Sequence, residues 1–465
     1  MGAIITTGSA FAADYSGDIY WTSAKNLVNL DDKTAYSADV DGKLVPVTET
    51  DGIDWAAANL IFDATKTGEK VNAFNGPKNP MTVKNFIVNG SWATARGKDQ
   101  YVWFAESATG APLTIEDTFT IESRTLGRVN GTYGLEAGRI VVINKNRNDI
   151  RVALGGEVST SGTSGFSYVN VNGNFDMAGN IFLLTNSKNA VGTKNAGTFE
   201  NPEFVIGGAM TMRPLGNLTP TWEMQFFNSN IVDNVARHFT KLAGLRGIGK
   251  IAVSKSMNEK AESTYIFTTP KGASADFDGR MVYYADHNSV RINFVMAGDG
   301  EQVLRMGKGS VWKGSVTVEK GIFRAMIPGG ANVSVDVTLN AGRFGGVGEE
   351  GDAGRIFVES LKWNGGAIYA KTEDGLTSSI FVKKPIELAQ NGAAIFALDT
   401  DENLEGQWTG SMLEWAEDAD EQNRAAFEDA AKRKAIKLFI NGKEHEVREM
   451  NLNDGELNML VGKKK

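Results

Sequence analysis

Ser315-Val316-Thr317-Val318-Glu319-Lys320-Gly321-Ile322-Phe323 is followed by Val335-Asp336-Val337-Thr338-Leu339-Asn340-Ala341-Gly342-Arg343-Phe344, and then by Glu359-Ser360-Leu361-Lys362-Trp363-Asn364-Gly365-Gly366-Ala367-Ile368-Tyr369. The three stretches read alike. Two alternating apolar positions lead into a polar or glycine turn, and an apolar or aromatic residue opens the next strand. Val318 and Leu339 lie 21 residues apart, and Leu339 and Trp363 lie 24 apart. A period of about 20–25 residues is one coil of a solenoid. A single coil cannot bury its inner side chains, so stacked coils share a continuous core. The sequence predicts an all-β chain built as a single-stranded parallel β-helix, with its most regular coils at 308–371.

The pattern loosens outward from there. Thr82 to Gly90 is a short apolar run closed by Asn89-Gly90, a strong turn signal. Leu113 to Ile121 alternates with period two, and similar pieces stand at Tyr168–Gly173, Phe204–Gly208 and Val290–Val295. Val88 and Ile121 are 33 residues apart, which predicts less regular coils through 14–300, within a β-helix expected over 14–400. Two segments read as helices. Ile231 to Leu245 sets Ile231, Val235, Phe239 and Leu242 at helical spacing, with Gly244 to end it. Trp415 to Phe439 is acidic first (Glu417, Asp418, Asp420, Glu421) and basic last (Lys432, Arg433, Lys434, Lys437), the order that suits a helix macrodipole. It runs into Ile436–Ile440, an Asn441-Gly442 hairpin turn and a last strand at Leu457–Val461. Residues 401–465 are thus predicted to form a small α+β cap, containing a helix, over an open sheet end that would otherwise invite aggregation.

Composition agrees with many tight turns. The 465 residues include 53 glycines and only 10 prolines, and with 42% hydrophobic and 22% charged residues a sizeable core is affordable. The net charge of −8 repels phosphate backbones, which argues against nucleic acid as a partner. Cysteine is absent, so disulfides, thiolate metal sites and cysteine nucleophiles are excluded. Near the N-terminus, Ala10-Phe11-Ala12 before Ala13 and Asp14 has the small-x-small form of a signal-peptidase site. Residues 1–13 therefore read as the remnant of a signal peptide. No run of about 18 apolar residues follows, so no transmembrane segment is predicted.

The entry region and the repeats at Lys308–Lys371 together resemble the autotransporter-associated β-strand repeat proteins of Gram-negative bacteria. The matching pieces are Val337 to Phe344 and Leu361 to Tyr369, with Tyr20-Trp21 ahead of Ala58–Phe62 and Val83–Val88 at the entry. The resemblance implies a right-handed parallel β-helix passenger, exported across the inner membrane, with no shared catalytic residues.

No catalytic signature is present in the sequence. His238, His287 and His445 stand in unrelated contexts, and neither a Gly-x-Ser-x-Gly elbow nor a P-loop occurs. Asp399, Asp401 and Asn403 open like a calcium loop, but Leu404 and Gly410 replace the glycine and glutamate that an EF-hand requires. Calcium at these three residues is the single cofactor candidate, against a solvated acidic turn. Asp276, Asp278, Arg280, Asp286 and Arg291 lie close in sequence and are the carboxylate and basic candidates for a polysaccharide lyase or hydrolase. Trp92, Tyr101, Trp103, Phe104, Tyr283 and Tyr284 cluster near glycine and polar residues. Such rings either stack on sugars and partner proteins or fill the core. The expected role is a secreted or cell-surface scaffold or adhesin. Its partners would be polysaccharide, other surface proteins or further copies of itself. The alternatives are a carbohydrate-active enzyme on the same scaffold and a subunit of an extracellular filament or surface layer.

Overall fold

The computed structural model describes residues 13–25, 28–67, 73–89, 103–105, 111–122, 135–144, 150–154, 157–159, 162–164, 169–186, 199–202, 204–226, 231–232, 235–255, 260–283, 289–307, 309–330, 332–347, 356–372, 378–390 and 392–465. The chain is mostly β-strand, with one helix of more than a single turn among the described residues, Asp420–Lys432. It divides into two compact units, Met1–Asn172 and Gly173–Lys465.

In the first unit, parallel pairing joins Asp14–Trp21, Gly52–Asp63, Asn85–Asn89, Leu113–Glu122 and Leu135–Asn144 in turn. The register puts Ile19, Leu60, Phe86, Phe119 and Ile140 in one column, every one fully buried. Rings stack along this interior, Trp21 on Phe62 at 5.2 Å and Phe86 on Phe119 at 5.0 Å. Each large apolar side chain so buried contributes roughly 1.5–3 kcal/mol. The neighbouring outward column is polar: Asn85 donates to Asn59 and Asn59 to Asp18, at 2.9 and 2.8 Å. At its N-terminal end the parallel order stops. Tyr36–Val40 lies antiparallel both to Asp14–Trp21 and to Lys43–Pro46.

The second unit alternates between two ladders. Lys260–Phe267, Val290–Met296, Trp312–Val318 and Val333–Leu339 pair in parallel as one, and Ser274–Tyr283, Glu301–Met306, Ile322–Met326, Arg343–Gly346 and Ala367–Lys371 as the other. From Lys260–Phe267 as far as Arg343–Gly346 each strand thus pairs with the next but one in sequence; beyond that Ile356–Val358 intervenes, and Val333–Leu339 and Arg343–Gly346 pair with the third strand on. Val318, Leu339 and Trp363 are Cα partners in adjacent strands, as the spacing predicts, and so are Val88 and Ile121. Period-two patterning specifies such registers, because a slip of one residue would turn every buried side chain outward. Phe294 of the first ladder meets Phe323 of the second at 6.3 Å, so inward rings of the two ladders share one core.

The turn after Val318, Leu339 and Trp363 repeats. Gly321, Gly342 and Gly366 all have left-handed φ, at 58°, 68° and 70°. A Cβ on Gly342 would sit 2.5 Å from the Gly321 carbonyl oxygen. Gly410 has a similar φ of 72° but open space around it. Left-handed backbone alone costs a non-glycine residue about 1–2 kcal/mol. Gly342→Ala is therefore expected to cost clearly more than Gly410→Ala in chemical denaturation, the excess being the clash between neighbouring turns.

Ile231 to Leu245 is not a helix. The strand Val235–Lys255 covers most of it, paired in parallel with Phe204–Arg213 and with Lys260–Phe267. Its period-two reading wins: His238, Thr240, Leu242 and Gly244 are buried while Lys241 between them is exposed. Gly244, Gly247 and Gly249 weaken a helix, and strands on either side supply the backbone partners that a helix would have made internally.

The C-terminal helix, Asp420–Lys432, occupies the middle of the stretch from Trp415 to Phe439 that the charge order marks; Trp415 ends the strand Leu413–Trp415 and Ile436 opens the next one. Its Phe427 is fully buried and stacks on Trp415 at 5.7 Å. Buried Asn423 accepts from the Ile386 N–H at 2.8 Å. The strand Ile436–Ile440 extends the second ladder in parallel from Ala394–Asp399. Asn441 and Gly442 then turn the chain, with φ of 49° and 74°, into Lys443–Asn451. That strand and Glu456–Lys464 pair antiparallel, and Glu456–Lys464 also lies antiparallel to Leu413–Trp415. Antiparallel strands thus border the parallel order at the C-terminal end of the second unit, as Tyr36–Val40 does near the N-terminus of the first. Asp420, in the first turn of the helix, accepts from Trp415 Nε1 at 2.8 Å and from Arg424 Nε at 2.7 Å. The indole N–H first, and then the guanidinium, hold its carboxyl below the usual range. A lowered folded-state pKa adds stability above the unfolded value, about 3.9, which is lost as pH falls through the folded value. The stability advantage of the parent chain over Asp420→Asn at pH 7 is expected to shrink below about pH 4, as read by urea denaturation across pH.

Candidate functional site

Among the described residues most outward positions on the second ladder are solvated, and one stretch of that ladder is not. Val303, Arg324, Gly345, Tyr369 and Ala397 are successive Cα partners across five strands. Their sequence neighbours Phe323, Phe344, Ile368 and Phe396 are fully buried in the core, so alternation turns this column to the opposite face. Yet Arg324 is 2% exposed and Tyr369 4%. Tyr369 packs with Ala367 and Ala397, and Ile322, Ile395 and Phe439 lie against them.

Charges close round this apolar patch. Arg324 Nε donates to the Gly346 carbonyl at 3.1 Å, and its Nη1 lies 3.5 Å from Glu301 Oε1. The Tyr369 hydroxyl donates to Asp399 Oδ2 at 2.8 Å, and Arg343 Nη1 approaches the same oxygen at 3.8 Å. Both guanidinium carbons face the Tyr369 ring, Arg343 at 5.4 Å and Arg324 at 6.0 Å from its centroid. A guanidinium at that distance is attracted by the ring quadrupole. Burial first, and then the carboxylate of Asp399, push the phenol well above its ordinary pKa, so it stays a hydrogen-bond donor. Two cations, two carboxylates and a neutral phenol balance one another across strands far apart in sequence. The arrangement suits clamping of the strands. Its half-exposed end, Arg343 beside Asp399, offers a planar donor pair and an acceptor.

Asp399, the first residue of the calcium-loop candidate, faces Tyr369 and Arg343. Asp401 and Asn403 are exposed, and Asn403 Oδ1 accepts from the Glu405 N–H at 3.2 Å. Among the described residues no group of three or more histidine, aspartate or glutamate side chains is gathered to hold a metal. Of the candidate aromatics, Tyr283 is 8% exposed, and its hydroxyl donates to the Lys313 carbonyl and accepts from the Lys313 N–H, at 3.2 and 3.1 Å. Burial pushes its pKa up to about 12. Trp103 lies in a short strand, Trp103–Ala105, paired in parallel with Ala73–Asn75, and Phe104 follows it there. Trp92, Tyr101 and Tyr284 lie outside the described residues, as does Asp286. Asp276 is held bidentately by Arg305, at 3.0 and 3.2 Å. His238 is buried, with Nδ1 3.4 Å from Thr240 Oγ1.

Arg324, Arg343 and Tyr369 escaped the sequence reading. Arg324 and Tyr369 each stand three residues after a turn glycine, Gly321 and Gly366, which is the available signal, whereas Arg343 directly follows Gly342. Trp408, with Gly406 and Gly410 beside it, carries the same signal as the candidate aromatics and is 43% exposed. No described helix is long and apolar enough to cross a membrane. Comparison with protein-family models, with curated proteins and with solved structures finds no match to this chain.

Proposed function

We propose that the chain is an exported β-solenoid that serves as a surface scaffold or adhesin. The observation that carries this reading is the two-ladder parallel pairing, with successive strands of a ladder one repeat apart, 21 residues between Val318 and Leu339 and 24 between Asn340 and Asn364. In the solenoid reading each repeat is one coil of a right-handed single-stranded β-helix. Residues 401–465 are its cap, because antiparallel pairing and the Asp420–Lys432 helix cover strands that would otherwise template aggregation. The charge-balanced cluster around Tyr369 supports a structural role, since its cations are matched by carboxylates and its phenol is kept neutral.

Coil architecture makes a direct demand on the chain. Deleting 322–342 joins Gly321 to Arg343, the partner of Ile322 one strand on. That whole-coil deletion is expected to leave a soluble, cooperatively folded protein, while deletion of half as many residues is not. For the role, purified protein is offered a panel of acidic and neutral polysaccharides and bacterial surface proteins, with and without calcium. Retention without chemical change is the expected result. Release of shortened saccharides would replace this reading by the carbohydrate-active enzyme.

A further inference from the structure

The residue that follows the small-x-small sequence Ala10-Phe11-Ala12 is held at both of its backbone groups. The Ala13 N–H donates to Asp51 Oδ1 at 3.0 Å, and the Ala13 carbonyl accepts from the Gly52 N–H at 2.7 Å. Asp51 is 8% exposed. Its other oxygen, Oδ2, accepts from the Thr48 N–H and the Thr48 hydroxyl, both at 2.8 Å, which fixes the plane of the carboxylate and aims Oδ1 at Ala13. The backbone bonds from Thr48 and then Ala13 hold the carboxyl below its usual range, so it is charged at neutral pH. Lys33 Nζ donates to the backbone oxygen of Asp51, not to its carboxylate. Gly52 is shaped for the approach, since a Cβ there would fall 2.0 Å from Asp14 Oδ1. An ammonium in place of the Ala13 amide N–H would add a charge-assisted bond to this oriented carboxylate, which the neutral donors of Thr48 and Ala13 now serve.

We propose that Asp51 is the receiver of a new chain terminus, the α-ammonium of Ala13, produced by hydrolysis of the Ala12–Ala13 peptide bond. Water adds across the C–N bond. The carboxylate remains on Ala12 and the amine, protonated at neutral pH, on Ala13. The cutting enzyme is of the class that reads small residues at the first and third positions before the bond, here Ala12 and Ala10. The cut falls one residue inside the stretch 1–13 read as leader, because Ala12 closes the small-x-small sequence and Ala13 is the residue held by Asp51; its position rests on the export reading, whereas the role of Asp51 does not.

Two measurements test the two halves. The full chain is expressed in an exporting Gram-negative host, and the N-terminus of the exported protein is determined by mass spectrometry. Ala13 is the expected first residue; an intact chain or a different first residue overturns the cut. Separately, a chain released from a fusion so as to begin at Ala13 is compared with its α-N-acetylated form, each with Asp51 and with Asp51→Asn. Acetylation is expected to raise the unfolding equilibrium constant about tenfold with Asp51, as fits the loss of a charge-assisted bond, and less than about twofold with Asp51→Asn. Equal effects in the two backgrounds overturn Asp51 as the receiver, whatever the host shows. Should Asp51→Asn fail to fold, acylation of the Ala13 amine decides. It should run at least about threefold slower in the folded chain than in urea at pH 8, and equal rates overturn the proposal.

Discussion

Replacing Phe294 by alanine is expected to destabilise the protein by about 3–5 kcal/mol, the cost of emptying a large aromatic site in a packed core. Phe294 is fully buried and touches four rings: Tyr265 at 5.5 Å, Phe267 at 5.7 Å, Trp312 at 5.3 Å and Phe323 at 6.3 Å. Three of these belong to the ladder of Phe294, and Phe323 to the other. The cavity left by alanine would therefore open between the ladders, where backbone hydrogen bonds on both sides resist collapse. Phe294→Leu keeps much of the volume and should cost roughly 1–2 kcal/mol. Phe199→Ala, at a side chain that is 43% exposed, should stay within about 0.5 kcal/mol. Urea denaturation gives the midpoints. Hydrogen exchange gives the reach: Lys260–Phe267 through Trp312–Val318 should exchange faster, while Asp14–Trp21 should not, because repeats chiefly feel their neighbours. A cost below about 1 kcal/mol for Phe294→Ala would mean that the two ladders are not packed through this ring.

Removing Arg324 should be of similar size, about 3–5 kcal/mol, for a different reason. Its guanidinium is almost wholly buried on an outward face, where it serves the Gly346 carbonyl and Glu301. Its guanidinium carbon lies 6.0 Å from the Tyr369 ring centroid. Arg324→Ala strips the carbonyl of a donor and leaves Glu301, whose side chain is 23% exposed, without its cation. Breaking one side of a buried pair is the costly case, because the remaining charge stays poorly solvated. Arg324→Lys keeps the charge but lacks the planar fork that reaches a carbonyl and a carboxylate together, and should fall between the parent and the alanine variant. Arg324→Met with Glu301→Gln removes both charges at once, and should recover much of the loss seen with alanine. If the double variant is no better than Arg324→Ala, packing under the ring and not charge matching is the main contribution. Thermal and urea denaturation of the four chains separates these outcomes.

Much of the fold is written locally. The all-β class, the equivalence of Val318, Leu339 and Trp363, the Asp420–Lys432 helix and the Asn441-Gly442 turn all depend on periods, charge order and turn chemistry within a few residues. Such signals act before any long-range contact forms. Ile231 to Leu245 carries two periods at once, and there the short-range signal was ambiguous. The strands Phe204–Arg213 and Lys260–Phe267 beside it settled the matter by offering backbone partners along its length.

The cluster around Tyr369 lies at the other extreme. Arg324 and Tyr369 stand in one column with Gly345 between them, and Tyr369 reaches Asp399 across 30 residues. Nothing local distinguishes Arg324 from the partly exposed Arg305 in the preceding strand of the same ladder. Period and turn chemistry determined that these residues lie on strands and face away from the core. Only the assembled register decided which of them meet, because a column of side chains exists only after successive repeats have paired.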